Sequence, residues 1–147
     1  MKKTLVVLLL LFVTFSCNKK QVYKNFENGM ESQRWNENDI KTHDFEILED
    51  GITYSFFIEV SHVLGTEMDE FPVVIEMKNP DGTLEKREVV VNFKNSECLG
   101  DICDVKFLVK EKIQLMKGDY SVRFYPKSKY GFVPNILGVG LTVEIQE

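Results

Sequence analysis

The chain has 147 residues, of which 44% are hydrophobic, and a formal net charge of −5. This length allows one sizeable core and is short for two independent domains. The hydrophobic fraction excludes a disordered chain. Because an acidic chain repels phosphate backbones, the charge argues against a nucleic-acid partner.

The N-terminal residues have the pattern of an export signal. Lys2 and Lys3 precede nine consecutive apolar residues, Leu5–Val13. A bilayer span needs about 20 apolar residues, so this run fits a secretory signal instead. Ser16 then precedes Cys17, and a short apolar run followed by a small residue and a cysteine resembles a bacterial lipobox.

In the lipobox class the cysteine thiol receives a diacylglycerol, the signal is cleaved, and the new amino terminus is acylated. We therefore predict a signal peptide over residues 1–16, lipidation of Cys17, a polar tether over residues 17–21 and a folded domain over residues 22–147. Cleavage removes two lysines and no acid, so the net charge becomes −7. The alternative is a soluble secreted protein in which Cys17 is incidental.

Several acyl chains on one residue are enough for stable membrane anchoring. Asn18, not Asp, follows Cys17, and no acidic run comes after it. The first point argues against retention in the inner membrane and the second against export to the cell surface. We expect the protein in the cell envelope, lipid-anchored to the outer membrane and facing the periplasm.

Two further cysteines, Cys98 and Cys103, are separated by four residues that include Gly100. In an oxidising compartment such a pair predicts a disulfide, worth roughly 2 kcal/mol for so short a loop. The alternative is two free thiols.

The rest of the chain alternates apolar and polar residues, which is typical of half-buried strands. In the clearest segment, 52–62, Tyr54, Phe56 and Ile58 share one face with Ile52 and Val60. The predicted strands are 39–47, 52–62, 71–78, 84–93, 104–113, 119–125 and 136–145. The sequence Asn79-Pro80-Asp81-Gly82 predicts a hairpin turn between the third and fourth.

In segment 104–113, Val105, Phe107 and Val109 are predicted to face away from Lys106, Leu108 and Lys110. Gly138 and Gly140 predict a bulge or a close backbone approach in the last strand. Residues 27–38 read as a loop. Seven to eight short strands predict an all-β fold, a single antiparallel β-sandwich of jelly-roll-like or Ig-like type.

No pattern of residues predicts catalysis, a metal site or a cofactor. The chain has no Gly-x-Ser-x-Gly motif, and its two histidines lie far apart in sequence. We interpret His62 as a packed or capping residue and His43, beside Asp44, as part of a solvated pair. The acidic run Glu67–Glu70 lacks the alternating ligands and the glycine of a calcium loop. We therefore expect no enzyme.

Aromatic residues near the C-terminus are candidates for binding. Tyr130, Phe132 and Pro134 lie in a loop punctuated by glycine and proline, and Trp35 is the only tryptophan. Exposed apolar residues on such a loop would mark a partner contact or, with Tyr125, a platform for stacking sugars. Packing in the core is the alternative for each of them.

The order of short motifs resembles the gliding-motility lipoprotein GldH family over nearly the whole mature chain. The most specific piece is Val133–Leu141, which reads Val-Pro-Asn-Ile-Leu-Gly-Val-Gly-Leu. The other matching pieces are Val22-Tyr23, Trp35-Asn36 with Asp39, Phe45-Glu46-Ile47, Tyr54 leading to His62, Asn79–Thr83, Leu99-Gly100-Asp101 and Gly118-Asp119-Tyr120. Ser61 and Thr142 stand where the family often has arginine.

This resemblance implies a non-enzymatic envelope component required for surface gliding. Members act with other gliding-motility lipoproteins and, at least indirectly, with the secretion machinery that delivers cell-surface adhesins. We expect Trp35 and the loop Tyr130–Leu137 to contact such a partner, while the acyl chains on Cys17 anchor the protein in the membrane. The competing hypothesis is a glycan- or peptide-binding β-sandwich lipoprotein of an envelope uptake system.

Overall fold

The computed structural model describes residues 20–146, and nearly all of them lie in antiparallel β-strands. The predicted signal peptide and Cys17 lie outside the described residues. The strands are β1 Gln21–Asn28, β2 Arg34–Asn36, β3 Lys41–Ile47, β4 Thr53–Val63, β5 Glu70–Lys78, β6 Leu84–Asn92, β7 Glu97–Leu99, β8 Ile102–Gln114, β9 Gly118–Pro126, β10 Phe132–Pro134 and β11 Ile136–Gln146, with a 3-10 turn at Glu31–Gln33.

The strands form two main sheets that pack face to face, so the predicted sandwich is confirmed. One sheet has the order β1-β11-β4-β8-β7, the other β3-β9-β5-β6, and β10 pairs with β2 in a small third sheet. The core lies between the two main sheets and includes Ile58, Val60, Val73, Phe124 and Leu141. The prediction that residues 52–60 alternate is confirmed, because Tyr54, Phe56, Ile58 and Val60 are all buried.

The predicted hairpin joins β5 to β6. The side chain of Asp81 accepts hydrogen bonds from the backbone N–H and the hydroxyl of Thr83, at 2.9 and 2.7 Å, and Gly82 has a φ of 85°. These two bonds stabilise the carboxylate and lower the pKa of Asp81. The turn thus forms for the local reasons that its sequence indicates.

Four short or edge strands were not predicted: β1, β2, β7 and β10. β1 begins at Gln21, inside the range assigned to the tether, and is exposed along much of its length. β2 lies within residues 27–38 and β10 within the loop around Phe132, both of which read as loops. Three-residue strands are too short to show an alternation, so their pairing comes from tertiary structure.

The two glycines of β11 allow β1 to approach closely. A Cβ at Gly138 would lie 2.7 Å from the ring of Phe26 and from the carbonyl oxygen of Glu27, and one at Gly140 would meet Asn25 and Phe26. The ladder between β4 and β11 also shifts register between Ile136 and Gly138. Both of the predicted explanations for these glycines are therefore confirmed.

β8 departs from the predicted alternation after Leu108. Tyr54 pairs with Ile113, Phe56 with Lys110 and Phe57 with Leu108, so β8 contains extra residues opposite β4. Such bulges change the face to which a side chain points. Lys110 therefore shares the inward side of Phe56, and the prediction that it lies on the same face as Lys106 and Leu108 is wrong.

The sandwich has two distinct ends, which we call the base and the tip. At the base, β1 begins beside the end of β11, where Gln21 pairs with Glu144. At the tip, β11 begins beside the end of β4, where Ile136 pairs with His62, and the β10–β2 pair follows directly. The chain thus enters the sandwich at the end opposite the loop that contains Tyr130.

Candidate functional site

An open groove lies at the tip, between the loop after β4 and the segment that joins β9 to β11. We call it the tip groove. Its lining residues are Gly65, Thr66, Glu67, Met68, Tyr130, Phe132, Pro134 and Asn135. Three of the four predicted contact residues, Tyr130, Phe132 and Pro134, are therefore brought together on one surface.

Backbone hydrogen bonds fix the two sides of the tip groove. The N–H of Val63 donates to the carbonyl oxygen of Asn135 at 3.0 Å, and the side-chain amide of Asn135 approaches the hydroxyl of Thr66 at 3.4 Å. Asn135 has a φ of 61°, a left-handed conformation that asparagine tolerates better than most residues. This turn directs the chain from β10 into β11.

Two aromatic rings of the groove each lie close to a cationic side chain. Tyr130 is 65% exposed, and the ammonium group of Lys129 lies 4.8 Å from its ring centre. The guanidinium of Arg34 lies 4.5 Å from the ring centre of Phe132, which is half-buried. Both distances are within the range of a cation–π interaction. The groove therefore combines accessible aromatic surface with flanking positive charge, and Glu67 adds a carboxylate to its lining.

Trp35 does not lie on this surface. Its side chain is fully buried and makes edge-to-face contacts with Phe71 and Phe124, at ring-centre distances of 6.1 and 5.8 Å. Its indole N–H donates to the carbonyl oxygen of Asp39 at 2.9 Å. Because Trp35 pairs with Val133 of β10, it supports the groove from beneath. Trp35 is therefore a core residue, and the prediction that it contacts a partner directly is wrong.

Sequence reasoning did not identify the other side of the groove, Gly65–Met68. It considered only the acids of residues 67–70, as an imitation of a calcium loop. Gly65, with a φ of 75°, lies two residues after the end of β4. A glycine at that position could have indicated a turn at the same end of the sandwich as residues 130–135.

A hairpin with an exposed apolar residue adjoins one side of the groove. Cys98 and Cys103 form the predicted disulfide across the β7–β8 hairpin. Leu99, at the turn of this hairpin, is 90% exposed. The N–H of Leu64 donates to the carbonyl oxygen of Asp101 at 2.9 Å, which attaches the hairpin to the loop that lines the groove. The disulfide thus stiffens a structure that adjoins the groove.

His62 has the packed environment that the sequence predicts. Its ring stacks on Phe93 with ring centres 4.0 Å apart, and Nε2 lies 2.8 Å from the hydroxyl of Ser96. Nδ1 lies 3.1 Å from the carbonyl oxygen of Val63. Both ring nitrogens therefore have partners within the fold.

His43 is not solvated, and this prediction is wrong. It is only 1% exposed because its strand position faces the core, where its ring stacks on Phe124 at 5.3 Å. Nδ1 lies 3.0 Å from the hydroxyl of Tyr23, while Nε2 has no hydrogen-bond partner among the described residues. Burial lowers the pKa of His43, although the nearby charge of Glu27 opposes the shift.

Two hydroxyl side chains on the β1–β11–β4–β8 sheet bond to carboxylates. Ser61 donates its hydroxyl hydrogen to Asp104, and Thr142 donates to Glu59 at 2.7 Å. The remaining oxygen of Glu59 pairs with Lys24 at 3.1 Å. Small hydroxyl side chains therefore satisfy carboxylates on this sheet face.

Within residues 20–146 there is no group of three or more His, Cys, Asp or Glu side chains that could hold a metal ion. Over the same range, no helix has the length and apolar character needed to cross a membrane.

Neither a protein-family model nor a curated protein matches the chain. Solved structures with a similar arrangement include a β-glucosidase from Paenibacillus barengoltzii, 16% identical with a TM-score of 0.40 over 81% of this chain. The match spans only 10% of that enzyme. A protein from Sulfurospirillum deleyianum is 13% identical with a TM-score of 0.42, over 85% of this chain and 98% of that one. An exo-β-1,3-galactanase from Phanerochaete chrysosporium is 11% identical with a TM-score of 0.39, over 81% of this chain and 29% of that one.

Proposed function

We propose that this chain is a lipid-anchored envelope lipoprotein required for gliding motility, and that it acts as a non-enzymatic scaffold for other gliding or secretion components. The observation that carries the proposal is the ordered set of motifs that resembles the GldH family. Several of these motifs meet at the tip: Trp35 of β2 pairs with Val133, and His62 of β4 pairs with Ile136. They surround the tip groove, to which the proposal assigns the contact with a partner.

The position of the groove supports contact with a protein in preference to the membrane. Cys17 precedes Gln21, the first residue of β1, by only four residues, so a lipid on Cys17 would be joined to the base by a short segment. β4 and β11 each have 11 residues and run from one end to the other. At roughly 3.3 Å per residue, such strands hold the groove about 35 Å from the base.

The test is deletion of the gene followed by complementation. We expect deletion to abolish spreading on agar and to lower the level of a partner lipoprotein. Complementation with Tyr130→Ala or Phe132→Ala should fail. The control is Tyr125→Ala, which changes a tyrosine on the outer face of β9 and should restore spreading. Normal motility and unchanged lipoprotein levels in the deletion strain would contradict the proposal.

Anchoring is tested separately with Cys17→Ala. The variant should keep its circular dichroism spectrum and should no longer incorporate a labelled fatty acid. If it still incorporated the label, Cys17 would not be the anchor.

The second candidate is binding of a glycan or peptide for an envelope uptake system. The exposed ring of Tyr130 beside Phe132 favours it, because an accessible aromatic face can stack on a sugar ring. A saccharide that binds the wild-type chain but not Tyr130→Ala would support this candidate. A screen in which no glycan binds would count against it.

A further inference from the structure

A second cavity lies between the two main sheets, where β6 and β8 approach each other. Its interior is formed by apolar side chains of both sheets, namely Phe56, Ile58, Ile75, Met77, Val109, Val122, Phe124 and Leu141. Its mouth carries charged residues, among them Glu85, Arg87 and Lys110. The cavity is separate from the tip groove, since the two share no lining residue.

The bulges of β8 place a cation over this cavity. Because Lys110 pairs with Phe56, its side chain leaves β8 on the inward side. There it forms an ion pair with Glu85 of β6, with Nζ 2.7 Å from the carboxylate. Bulges next to binding sites commonly serve to redirect a side chain in this way. The Lys110–Glu85 pair thus links the two sheets across the mouth.

Arg87 adds a positive charge at the mouth and forms no salt bridge within residues 20–146, although its charge also acts on the nearby carboxyl of Glu85. It lies two residues after Glu85 on β6, so both side chains leave the strand on the same side. Lys86, between them, is paired with Glu76 instead, at 3.0 Å. With Lys110 opposed by Glu85, the mouth carries one excess positive charge. A guanidinium with no salt-bridge partner is the group best suited to a carboxylate or a phosphate.

The size of the cavity limits what can enter it. Its volume is about 70 Å³, roughly half that of an engineered cavity of about 150 Å³ that binds benzene. It can therefore take the last few carbons of an aliphatic chain but not a bulky ring system. A charged head on such a chain would remain at the mouth, beside Arg87.

From this arrangement we propose that the cavity binds an anionic amphiphile, whose aliphatic end fills the space between the sheets and whose single negative head pairs with Arg87 and Lys110. The head is a carboxylate, as in a free fatty acid, or a phosphate, as in a lipid. Binding displaces Glu85 from Lys110, so the carboxylate of Glu85 competes with the ligand.

The first experiment is calorimetric titration of the full chain, with Cys17→Ala in every sample so that no acyl chain of its own competes. The probes are butyrate, hexanoate and octanoate, with octyl phosphate as the second head group. We expect saturable 1:1 binding that strengthens about fourfold per added methylene until the cavity is full, as burial of apolar surface predicts. Tighter binding of octanoate or of octyl phosphate identifies the source of the head group, and either result supports the proposal.

Charge variants test the mouth. Arg87→Gln should weaken octanoate binding roughly tenfold, since a charge-assisted hydrogen bond is lost. Glu85→Gln should strengthen it by about the same factor, because Lys110 is released. The matched control is Arg123→Gln, an exposed arginine on the outer face of the same sheet, which should leave binding unchanged.

A filling variant tests the interior. Val109→Phe should abolish binding, and an unchanged thermal transition would show that it still folds. The charge variants lie at the surface and remain decisive if Val109→Phe fails to fold. The proposal is overturned if octanoate shows no saturable binding, if octyltrimethylammonium binds equally well, or if Arg87→Gln and Arg123→Gln behave alike. In that event the inward Lys110 would serve only to protect the edge of β8 from pairing with other chains.

Discussion

Replacing Trp35 with alanine should remove the support beneath the tip groove and lower the free energy of unfolding by about 4 kcal/mol. A buried indole covers roughly 200 Å², worth about 5 kcal/mol at 25 cal/mol per Å² as an upper bound. Relaxation of Phe71 and Phe124 into the cavity reduces this loss, whereas the unpaired carbonyl of Asp39 adds about 1 kcal/mol. The total agrees with the usual cost of such a truncation, about 3–5 kcal/mol.

The assay is urea unfolding followed by far-ultraviolet circular dichroism, because the variant has no tryptophan to report by fluorescence. Tyr130→Ala is the control, since an exposed side chain should change the stability by less than about 0.5 kcal/mol. The reasoning is refuted if Trp35→Ala loses less than about 1 kcal/mol or if Tyr130→Ala loses as much as Trp35→Ala.

Three further predictions concern stability. Gly140→Ala should cost about 2 kcal/mol by overpacking against β1 and should make residues 20–28 more sensitive to proteases. Burial lowers the pKa of His43 below its usual 6.5, so the stability that its neutral form contributes is present above pH 6.5 and lost as the pH falls below that value. His43→Phe should remove this dependence from urea midpoints measured at pH 7.5 and 5.5. Replacing both Cys98 and Cys103 with serine should lower stability by about 2 kcal/mol in thermal unfolding.

Each of these has a contrary outcome. Wild-type protease resistance of Gly140→Ala would mean that β1 can shift to accept a methyl group. Equal pH dependence of the wild type and His43→Phe would assign the acid sensitivity to carboxylates. An unchanged transition of the double serine variant would show that the β7–β8 hairpin holds without its disulfide.

The long strands could be predicted because their burial is one-sided and regular. In β4, one row of side chains fills the core while the other faces outward, so a period of two is visible in the residues themselves. The β5–β6 hairpin could also be predicted, because its turn depends on the local chemistry of Asp81 and Gly82. Such features do not require knowledge of distant parts of the chain.

The remaining features depend on pairing between distant residues. β2 and β10 exist because Trp35 lies opposite Val133, nearly a hundred residues later, and neither segment alternates for long enough to be recognised. The buried position of His43 follows from its pairing with Val122, not from its neighbour Asp44. The bulges of β8 reverse the side of Lys110, and no local signal marks them.

The same dependence applies to the tip groove. Its aromatic side was predictable, because Tyr130, Phe132 and Pro134 lie together in a short loop. Its other side, Gly65–Met68, belongs to the loop after β4. That loop meets the aromatic side only when β4 pairs with β11. The burial of Trp35 could not be read from its sequence neighbours, which are polar.

The pairing of β1 with β11 has a mechanical consequence. β1 enters at the base and is hydrogen-bonded along β11 from Gln21 to Asn28. If the chain were held by its N-terminus and by the tip groove, tension would act parallel to these strands and load the ladder in shear. Many hydrogen bonds would then resist the force together, whereas a pull at right angles would open them one after another. With both ends held in this way, the sandwich would transmit tension along its long axis.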